Sequence, residues 1–409
     1  MRVLHVTPHL GGGVGKAHAA LRNALPPEVE QTFLLLEAPR DRRYLEMIER
    51  AGTRVIVANS FEQVAALAAK AEIVQFEFWN HPRMFECLAR CDFPAMRSVF
   101  WSHISGLFKP LIPLGLIEES ARFVFTTPAS RGITTLSELS EGTRSRISVI
   151  NSGFGFPPGL GRVSSERPAT VAYLGTVDFL KMRPCFFDCI DDLGDDAIRV
   201  AVWGALDRAG PVAARAQAMR HPERIVFHGQ SDEPARALGD AGIFFYPLQP
   251  DHYGTAENVL IEAMSLGLVP VVMNNAAELA IVRHGETGFV GQTAEECTNW
   301  LKILLSSPHL RTRMSRNAID HVAHWRVPAQ SARDFMTLWL GLLARPKRQH
   351  DFRAAIGTSP ADWFLATQGA SAMDPKALAS AAVRSPSKGT LAHFESVFAD
   401  DTSLRRLRA

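Results

Sequence analysis

Short apolar runs rich in Val, Ile and Phe recur along most of this chain, and longer amphipathic stretches separate them. A strand inside a parallel sheet is covered on both faces and is therefore apolar throughout, and the connection to the next parallel strand is usually a helix. The alternation predicts repeated strand–helix–strand units, which build an α/β fold with helices on both faces of a parallel sheet.

The apolar runs form two groups. The first group predicts seven strands, at residues 3–7, 33–36, 55–58, 73–78, 98–102, 123–126 and 147–150. The second predicts five, at residues 170–174, 199–203, 225–228, 243–246 and 269–273. Residues 154–169 between the groups are rich in Gly, Pro and Ser, which is typical of a linker. Because 409 residues also exceed the usual size of a single core, we predict one doubly wound domain over residues 1–160 and a second over residues 161–325.

The remaining residues, 326–409, depart from this pattern. Phe335, Leu338, Trp339 and Leu342 recur at helical spacing, so this part is expected to begin with a helix. Farther on, several Pro, Gly and Ser residues interrupt short amphipathic pieces. We therefore predict a helical return segment followed by an irregular C-terminal extension, interpreted as an element for an acceptor or a partner.

The composition argues against several classes of function. The 44 basic and 42 acidic residues give a formal charge of +2, so no overall field attracts nucleic acid and no nucleic-acid partner is expected. The five cysteines are an odd number, and none stands at zinc-ligand spacing with a His pair. Neither a disulfide framework nor a structural metal is therefore indicated.

The apolar start of the chain is too short for the core of a signal peptide, and no stretch reaches the roughly 18 apolar residues of a spanning helix. A cytoplasmic location is therefore expected. Peripheral contact with the inner face of the membrane is the remaining alternative.

A glycine-rich loop follows the first predicted strand, where residues 9–17 read His-Leu-Gly-Gly-Gly-Val-Gly-Lys-Ala. A P-loop needs Gly six places before its Lys and Ser or Thr after it, but this chain has Leu10 and Ala17 there. The dinucleotide-binding pattern also fails, because its third Gly would fall on Lys16.

The same loop still predicts an anion site on physical grounds. Gly11, Gly12 and Gly13 would present backbone N–H groups at the positive end of a helix, where a phosphate or a sugar can approach closely. The alternative is a tight turn that serves only packing. Lys16 is interpreted as a surface charge near the helix start.

The most informative segment lies in the second predicted domain. A strand ends at Pro247, a polar loop follows, a helix starts near Thr255, and Gly267 ends that helix before the next strand. A helix start at the carboxyl edge of a parallel sheet is where ligands of open α/β folds bind. Val259, Ala263 and Leu266 would form an apolar face of this helix, and Glu262 is set apart from that face, where a carboxylate needs a partner.

This segment resembles the signature of GT-B-fold glycosyltransferases of family four, the glycosyl transferases group 1. The signature has a Glu, seven residues, a second Glu and an Ala-Met-x-x-Gly tail before a Val-Pro-Val-Val strand, and residues 258–267 match its second half closely. The resemblance implies two Rossmann-like domains that face each other across a cleft, with a C-terminal extension outside them. It covers residues 1–330 and is strongest between residues 254 and 290.

The resemblance also implies roles for residues around the signature. The second Glu, Glu262, would bond the ribose hydroxyls of a donor nucleotide, and the amides of Thr255 and Ala256 would hold its diphosphate. Gly254 and Asn258 belong to the same donor-binding stretch.

Three of the departures from the family pattern remove a charged residue. Gly254 stands where the family has the first Glu, which lies near the donor sugar. In the stretch after the first strand of the second domain, Gly175 and Lys181 keep their places, but Thr176 replaces an Arg that neutralises the diphosphate. Lys181 is therefore predicted to be catalytic, with Arg183 as a substitute for the missing cation. Ala280 replaces a third family residue, a Glu.

In the first domain, His103 follows a predicted strand, as a His does in relatives near the donor sugar. We predict that His103 is catalytic and bonds a sugar hydroxyl or a phosphate; the alternative is that it only caps the strand. Glu77 or His81, at the end of another strand, is a candidate for contact with the acceptor, whereas Phe76 and Phe78 are expected to pack.

The resemblance implies transfer of a sugar from a nucleoside diphosphate sugar to an acceptor hydroxyl with retained anomeric configuration, in glycan or polysaccharide biosynthesis. The acceptor would be a glycan, a lipid-linked glycan or a small molecule. The donor is a substrate and no cofactor is expected. No metal is expected either, because no Asp-x-Asp pair accompanies the site and the Asp pairs at 191–192 and 195–196 are interpreted as solvated helix-end charge.

Two other functions stay open. One is a catalytically degenerate protein of the same fold that binds a nucleotide sugar or a partner enzyme, which the losses at Gly254, Thr176 and Ala280 favour. The other is an epimerase or phosphorylase of this fold, which ranks last because the chain lacks the usual site signatures of those enzymes.

Overall fold

The computed structural model describes residues 1–39, 41–153, 156, 160–163, 170–194, 198–231, 233–255, 257–369 and 389–407. The chain divides into two compact units. The first unit comprises Met1–Gly153 and Pro328–Ala409, and the second comprises Phe154–Val327. Each unit alternates strands with helices, as the apolar runs predict.

The first unit is built on a sheet of seven parallel strands. In chain order these are β1 Arg2–Thr7, β2 Glu30–Leu35, β3 Arg54–Val57, β4 Ile73–Phe78, β5 Ser98–Ser102, β6 Arg122–Phe125 and β7 Ile147–Val149. Their order in the sheet is β3-β2-β1-β4-β5-β6-β7. All seven predicted strands are present, and the central strand β4 is buried along its whole length.

Helices connect these strands and cover both faces of the sheet. Before residue 153 they are α1 Gly12–Ala24, α2 Arg43–Arg50, α3 Phe61–Lys70, α4 Pro82–Arg90, α5 Leu114–Glu119 and α6 Glu141–Arg144. Two 3₁₀-helices, Pro128–Gly132 and Thr134–Glu138, lie between β6 and α6.

The second unit contains a sheet of six parallel strands. They are β8 Val171–Leu174, β9 Val200–Trp203, β10 Ile225–Gly229, β11 Ile243–Tyr246, β12 Val269–Met273 and β13 Phe289–Gly291, in the sheet order β10-β9-β8-β11-β12-β13. The five predicted strands are confirmed. The sixth, β13, has only three residues, and a run that short gives no periodicity from which to predict it.

The helices of the second unit follow the same alternation. They are α7 Cys185–Asp191, α8 Pro211–Gln217, α9 Pro234–Ala237, α10 Glu257–Ser265, α11 Ala276–Leu279, α12 Ala294–Ser306 and α13 Pro308–Trp325, with a 3₁₀-helix at Pro222–Arg224.

Each sheet has a point at which the strand order reverses. In the first unit the chain builds outward from β1 to β3 and then returns to add β4 on the other side of β1. In the second unit β8 and β11 are the corresponding pair. Loops at the carboxyl ends of such strand pairs diverge and leave a crevice for ligands. The fold therefore places the loops after β1, β4, β8 and β11 at the two positions where sites are expected.

The last part of the chain differs from the extension that the sequence suggests. Pro328–Ala409 belongs to the first unit. Its described helices are α14 Pro328–Leu343, α15 Phe352–Ile356, α16 Pro360–Ala366, α17 Leu391–Val397 and α18 Thr402–Arg406. Trp339 and Phe352 are fully or almost fully buried in the core of that unit. Apolar residues between the Pro and Gly positions supply the contacts, so residues 328–369 and 389–407 form part of the domain.

The cysteines form no disulfides and lie mostly inside the units. Among the residues that the structure describes, no helix combines the length and the apolar character that crossing a bilayer requires.

Candidate functional site

The glycine-rich loop of the first unit leads directly from β1 into α1. Gly11 is the N-cap residue of α1, and its N–H donates a hydrogen bond to His9 Nδ1 at 3.1 Å. The Gly11 amide is thus already used, which corrects its predicted role as an anion donor. Gly12 and Gly13 are exposed in the first turn of α1, and Gly12 has φ of +62°, a value that favours glycine. An anion site at Gly12 and Gly13 stays a prediction.

Two residues farther along α1 have clearer structural roles. A Cβ atom on Gly15 would lie 1.8 Å from the carbonyl oxygen of Leu10, so only glycine lets the helix approach the preceding loop this closely. Lys16 is half-buried, and burial together with the nearby Arg43 lowers the pKa of its amine to about 8. Its interpretation as an ordinary surface charge is therefore wrong.

A buried carboxylate is the centre of the polar residues in the first unit. Glu77, on β4, has no exposed surface, and its Oε1 atom lies 3.0 Å from His5 Nδ1 on β1. Its Oε2 atom lies 2.9 Å from His103 Nε2 and 3.0 Å from His18 Nε2 on α1. The Gln75 amide donates to Oε1 at 3.0 Å, and Gln31 Nε2 donates to His5 Nε2 at 2.9 Å.

Burial alone would raise the pKa of Glu77, but His18, His103 and His5 around the carboxylate lower it well below its usual value. The pKa of His5 is lowered, mainly by burial and further by His18, against the raising effect of Glu77. An ionised Glu77 therefore accepts a hydrogen bond from the Nδ1–H group of a neutral His5. The prediction that Glu77 faces an acceptor is wrong, because the side chain points into the core.

His103 lies immediately after β5, at the carboxyl edge of the first sheet. Its backbone N–H donates to the carbonyl of Phe78 at 2.8 Å, which continues the pairing between β4 and β5. Its Nε2–H points to Glu77, so Nδ1 carries the lone pair when the ring is neutral. A buried carboxylate thus fixes both the orientation and the tautomer of the predicted catalytic histidine. Phe76 and Phe78 are fully buried, as predicted.

A second histidine group lies near the ends of β1, β2 and β4. His81 Nε2 lies 3.6 Å from Glu37 Oε1, and the rings of His9 and His81 are 5.6 Å apart. The Nδ1 atoms of both rings accept backbone N–H groups, from Gly11 and Arg83 respectively. Their Nε2 atoms therefore carry protons when the rings are neutral. This arrangement suits hydrogen-bond donation better than metal ligation.

In the second unit, the loop after β8 begins at Gly175 and ends near Lys181. Gly175 has φ of +152° and its N–H donates to the carbonyl of Trp203 at 3.0 Å. The Lys181 N–H donates to Asp178 Oδ1 at 3.0 Å. Gln249, from the loop after β11, donates its N–H to the carbonyl of Lys181 at 2.8 Å and its side-chain amide to that of Phe179 at 2.9 Å. The loops after β8 and β11 are thereby tied together.

Lys181 keeps its charge within this pair of loops. Its Nζ atom lies 5.6 Å from the centre of the Tyr246 ring. Burial lowers the pKa of the ammonium group, but Tyr246, Tyr253 and Glu278 more than compensate, so the pKa lies above its ordinary value. The side chain therefore offers a fixed positive charge at the carboxyl edge of the second sheet.

Helix α10 follows the same loop. Thr255 comes shortly before the helix, and Gly254 and Asn258 are half-buried. Ala256 lies outside the described residues. Glu262, in the middle of the helix, is 2% exposed, as a carboxylate with a defined partner would be. Gly267, with φ of +88°, ends the helix, and a Cβ atom there would lie 2.3 Å from the carbonyl oxygen of Arg162.

The second unit thus has a cation in the loop after β8, a helix start after β11, and a buried carboxylate within that helix. Residues 164–321 match the family model of the glycosyl transferases group 1. The second unit is a group 1 glycosyl transferase domain. The predicted α/β fold of the GT-B class is also confirmed, because solved glycosyltransferase structures match most of the chain.

Two of these structures match this chain with similar TM-scores. The Anabaena protein HepE, solved in complex with UDP and glucose, is 15% identical with a TM-score of 0.64, covering 83% of this chain and 100% of that one. Sucrose-phosphate synthase from Thermosynechococcus elongatus is 16% identical with a TM-score of 0.62, covering 84% of this chain and 100% of that one. At such identities the similarity establishes the fold.

A curated relative is similar over a shorter stretch. The GDP-Man:Man(3)GlcNAc(2)-PP-Dol alpha-1,2-mannosyltransferase of Dictyostelium discoideum is 29% identical over 91 residues. These residues are 22% of this chain and 17% of the relative, so the chain matches about a sixth of that protein's length.

The glycosyl transferase domain also contains a polar cluster that the sequence does not reveal. His252 and Glu278 are 4% and 0% exposed, and His252 Nε2 lies 3.3 Å from Glu278 Oε2. Asn275 Nδ2 donates to Glu278 Oε1 at 3.0 Å and contacts the carbonyls of Leu248 and Gln249 at 3.3 and 3.4 Å. Because Glu278 and His252 are far apart in the sequence, only the adjacency of β11 and β12 brings them together.

The acidic pair at residues 191–192 is only partly exposed, which corrects its interpretation as solvated helix-end charge. Asp191 is 8% exposed and accepts the N–H groups of Arg220 and His221 at 2.9 and 3.0 Å. It therefore anchors the segment after α8, since buried amides need acceptors. Asp192 is exposed and pairs with Arg220, whereas residues 195–196 lie outside the described part of the chain.

Proposed function

We propose that this protein is a glycosyltransferase that moves a sugar from a nucleoside diphosphate sugar to an acceptor hydroxyl, with the anomeric configuration retained. The observation that carries the proposal is the position of Lys181, which a hydrogen bond from the Gln249 N–H ties to the loop that leads into α10. A fixed cation next to a helix start is suited to an anionic diphosphate. The family match over residues 164–321 supports the same assignment.

The donor would be recognised through three kinds of contact. The backbone N–H groups at the start of α10, around Thr255, would donate hydrogen bonds to the diphosphate, and Lys181 would neutralise it. Glu262 would bond the ribose hydroxyls, as the family resemblance implies. In the first unit, the amides of Gly12 and Gly13 and the side chain of His103 would bind a phosphate or a sugar hydroxyl. The donor is a substrate in this scheme, and we propose no cofactor.

Lys181 would contribute most to the chemical step. As the bond between the sugar and the diphosphate breaks, negative charge accumulates on the leaving diphosphate and positive charge on the sugar ring. A cation that is already in place stabilises the leaving group without reorganisation, and loss of one such contact typically costs about 3–4 kcal/mol of activation free energy. With Thr176 in place of a second cation, the reaction would depend strongly on Lys181.

The setting of the reaction is also a proposal. HepE was solved in complex with UDP and glucose, and the name of the Dictyostelium relative includes GDP-Man. We propose that the acceptor is a glycan, a lipid-linked glycan or a small molecule in a glycan or polysaccharide pathway. A cytoplasmic location, with peripheral contact at the membrane, fits such acceptors.

Nucleotide binding is the first test. We expect thermal shift assays with UDP, GDP, ADP and their sugars to raise the melting temperature of the full chain with one base, because a ligand at about 100 times its Kd adds about 2.7 kcal/mol of stability. Glu262→Ala and the milder Glu262→Gln are expected to remove most of this shift. Glu286→Ala, at an exposed position of the same unit, is the control and should keep it.

Turnover decides between an enzyme and a binding protein. With the nucleotide sugar that binds, we expect slow hydrolysis to the free sugar and a loss of about 100-fold or more in Lys181→Met. Binding without hydrolysis or transfer across all donors would support the degenerate binding protein instead. If no nucleotide stabilises the wild type, the assignment of the donor site is wrong.

A further inference from the structure

The cluster of His252, Glu278 and Asn275 in the second unit has no counterpart among the family positions that the sequence resembles. His252 lies in the loop between β11 and α10, two residues before Gly254. Gly254 is the position at which the family pattern expects the first Glu, near the donor sugar. The structure thus places a buried polar ring next to the position of the missing carboxylate.

The hydrogen bonds of this cluster orient the ring. Glu278 receives the Asn275 amide on Oε1 at 3.0 Å, which leaves Oε2 to accept the Nε2–H of His252 at 3.3 Å. In the tautomer that makes this bond, the lone pair of the ring is on Nδ1.

The Nδ1 atom of His252 is buried and has no hydrogen-bond partner among the described residues. Anchoring the loop requires only the Nε2–H bond to Glu278, and Asn275 already ties the backbone of this loop at Leu248 and Gln249. A buried acceptor without a donor costs about 1–3 kcal/mol. A purely structural side chain at this position would avoid that cost.

We propose that His252 Nδ1 accepts a hydroxyl group of the transferred sugar and so takes over the function of the carboxylate that Gly254 lacks. Glu278 is the positioning residue that holds the Nε2–H tautomer. This inference rests on the proposed function, because the hydroxyl belongs to the sugar of the donor. The loop that carries His252 runs into α10, so diphosphate binding at the helix start brings the sugar to the same loop.

Two substitutions separate the roles of the ring nitrogens. His252→Gln places an amide near the Nε2 position and keeps a donor for Glu278, but it has no atom at Nδ1. His252→Asn places a polar atom near Nδ1 and loses the bond to Glu278. His221→Gln, at a half-exposed position of the same unit, is the control, and thermal melts of all variants report whether they fold.

The test is calorimetric titration of the full chain with UDP and UDP-glucose, and with GDP and GDP-mannose. In His252→Gln we expect the affinity for the sugar nucleotide to fall about 3- to 10-fold, the value of one hydrogen bond, while the affinity for the nucleoside diphosphate stays within twofold. His252→Asn should retain more of the sugar-dependent affinity than His252→Gln. Glu278→Gln, which removes the carboxylate that orients the ring, should lower the ratio of the affinity for the sugar nucleotide to the affinity for the nucleoside diphosphate.

A purely structural role gives a different result. The inference is wrong if His252→Gln lowers the affinities for the nucleoside diphosphate and the sugar nucleotide equally. It is also wrong if the wild type binds both ligands and the variant binds them with unchanged affinities. In either case the proposed function survives. If the wild type binds no nucleotide, the proposed function fails, and the inference fails with it.

Discussion

Glu77 is stabilised as an anion in an apolar interior because four side chains donate to it or lie against it. His5, His103 and Gln75 hydrogen bond to the carboxylate, and His18 Nε2 lies 3.0 Å from it. A buried carboxylate without such partners would lose its charge or unfold the site. The orientation of His103 therefore depends on a network of buried side chains beneath it.

This cluster predicts the acid sensitivity of the first unit. The pKa of His5 in the fold lies below the usual 6.5, chiefly because the ring is buried. The unfolded chain therefore binds the extra proton between these two values, and stability falls as the pH is lowered through that window, by up to about 1.4 kcal/mol per pH unit. The pKa of Glu77 is depressed, so its contribution is lost only below the ordinary range of carboxyl groups, near pH 4.

We expect His5→Asn, which keeps a donor near Nδ1, to lower stability at pH 7 but to flatten its dependence between pH 7 and 5. Urea unfolding of the wild type and the variant at pH 7, 6 and 5 measures this difference. His321 and His350 also have pKa values lowered by burial, and they cancel in the comparison. Parallel pH profiles for the two proteins would show that His5 does not titrate in this way.

Single residues are predictable from the sequence where they belong to a pattern. Lys181 and Glu262 stand in a motif, and the structure places both in the second unit, close to the loop and helix expected to bind the donor. Glu77 lies between two phenylalanines on a strand, so alternation gives no sign that it is buried. His252 and Glu278 belong to different loops, and no local pattern relates them. Contacts between residues that are distant in the sequence therefore cannot be predicted from a local pattern.

Among the elements, α1 shows that neighbouring glycines have different functions. Gly12 has a positive φ, but a Cβ atom there would meet nothing within 4 Å. At Gly15 the same atom would collide with the carbonyl group of Leu10. The sequence alone leaves the anion site and the packing turn as alternatives, and the structure supports packing for Gly15 while leaving Gly12 and Gly13 for the proposed anion.

We expect Gly12→Ala to cost about 1 kcal/mol from backbone strain and Gly15→Ala to cost clearly more, because α1 must move away from the preceding loop. Chemical denaturation of both variants measures the two costs. Equal costs would mean that the close approach at Gly15 relaxes freely. If the proposed function holds, Gly15→Ala should also weaken nucleotide binding through the displaced amides.

The strands were predictable because burial on both faces makes each one a continuous apolar run. The short strand β13 is not predictable in this way, because three residues are too few to show a periodic pattern. The helices after residue 327 were harder to place, because an amphipathic segment shows that it packs but not against which unit. Phe335 and Trp339 have the helical spacing that the sequence shows, and the structure reveals their partners, which include Trp101 and Gln75.

At the scale of the whole molecule, the first unit is formed by two separate parts of the chain, and the second unit is inserted between them. Trp339 is fully buried, stacks on Phe335 at 5.2 Å and donates its indole N–H to Gln75 at 3.1 Å. Gln75 in turn donates to Glu77. The late helix α14 thus supports the same buried network that orients His103.

Calorimetry can test this dependence, because two units with separate cores are expected to give separable unfolding transitions. We expect Trp339→Ala to lower the stability of the first unit by about 3–5 kcal/mol, from the lost packing and the unpaired Gln75 oxygen. Leu340→Ala, at a residue that is 55% exposed on the same helix, should change it by less than about 0.5 kcal/mol. Phe245→Ala, in the core of the second unit, identifies the other transition. If Trp339→Ala shifted the transition of the second unit, or shifted neither transition, residues after 327 would not belong to the cooperative core of the first unit.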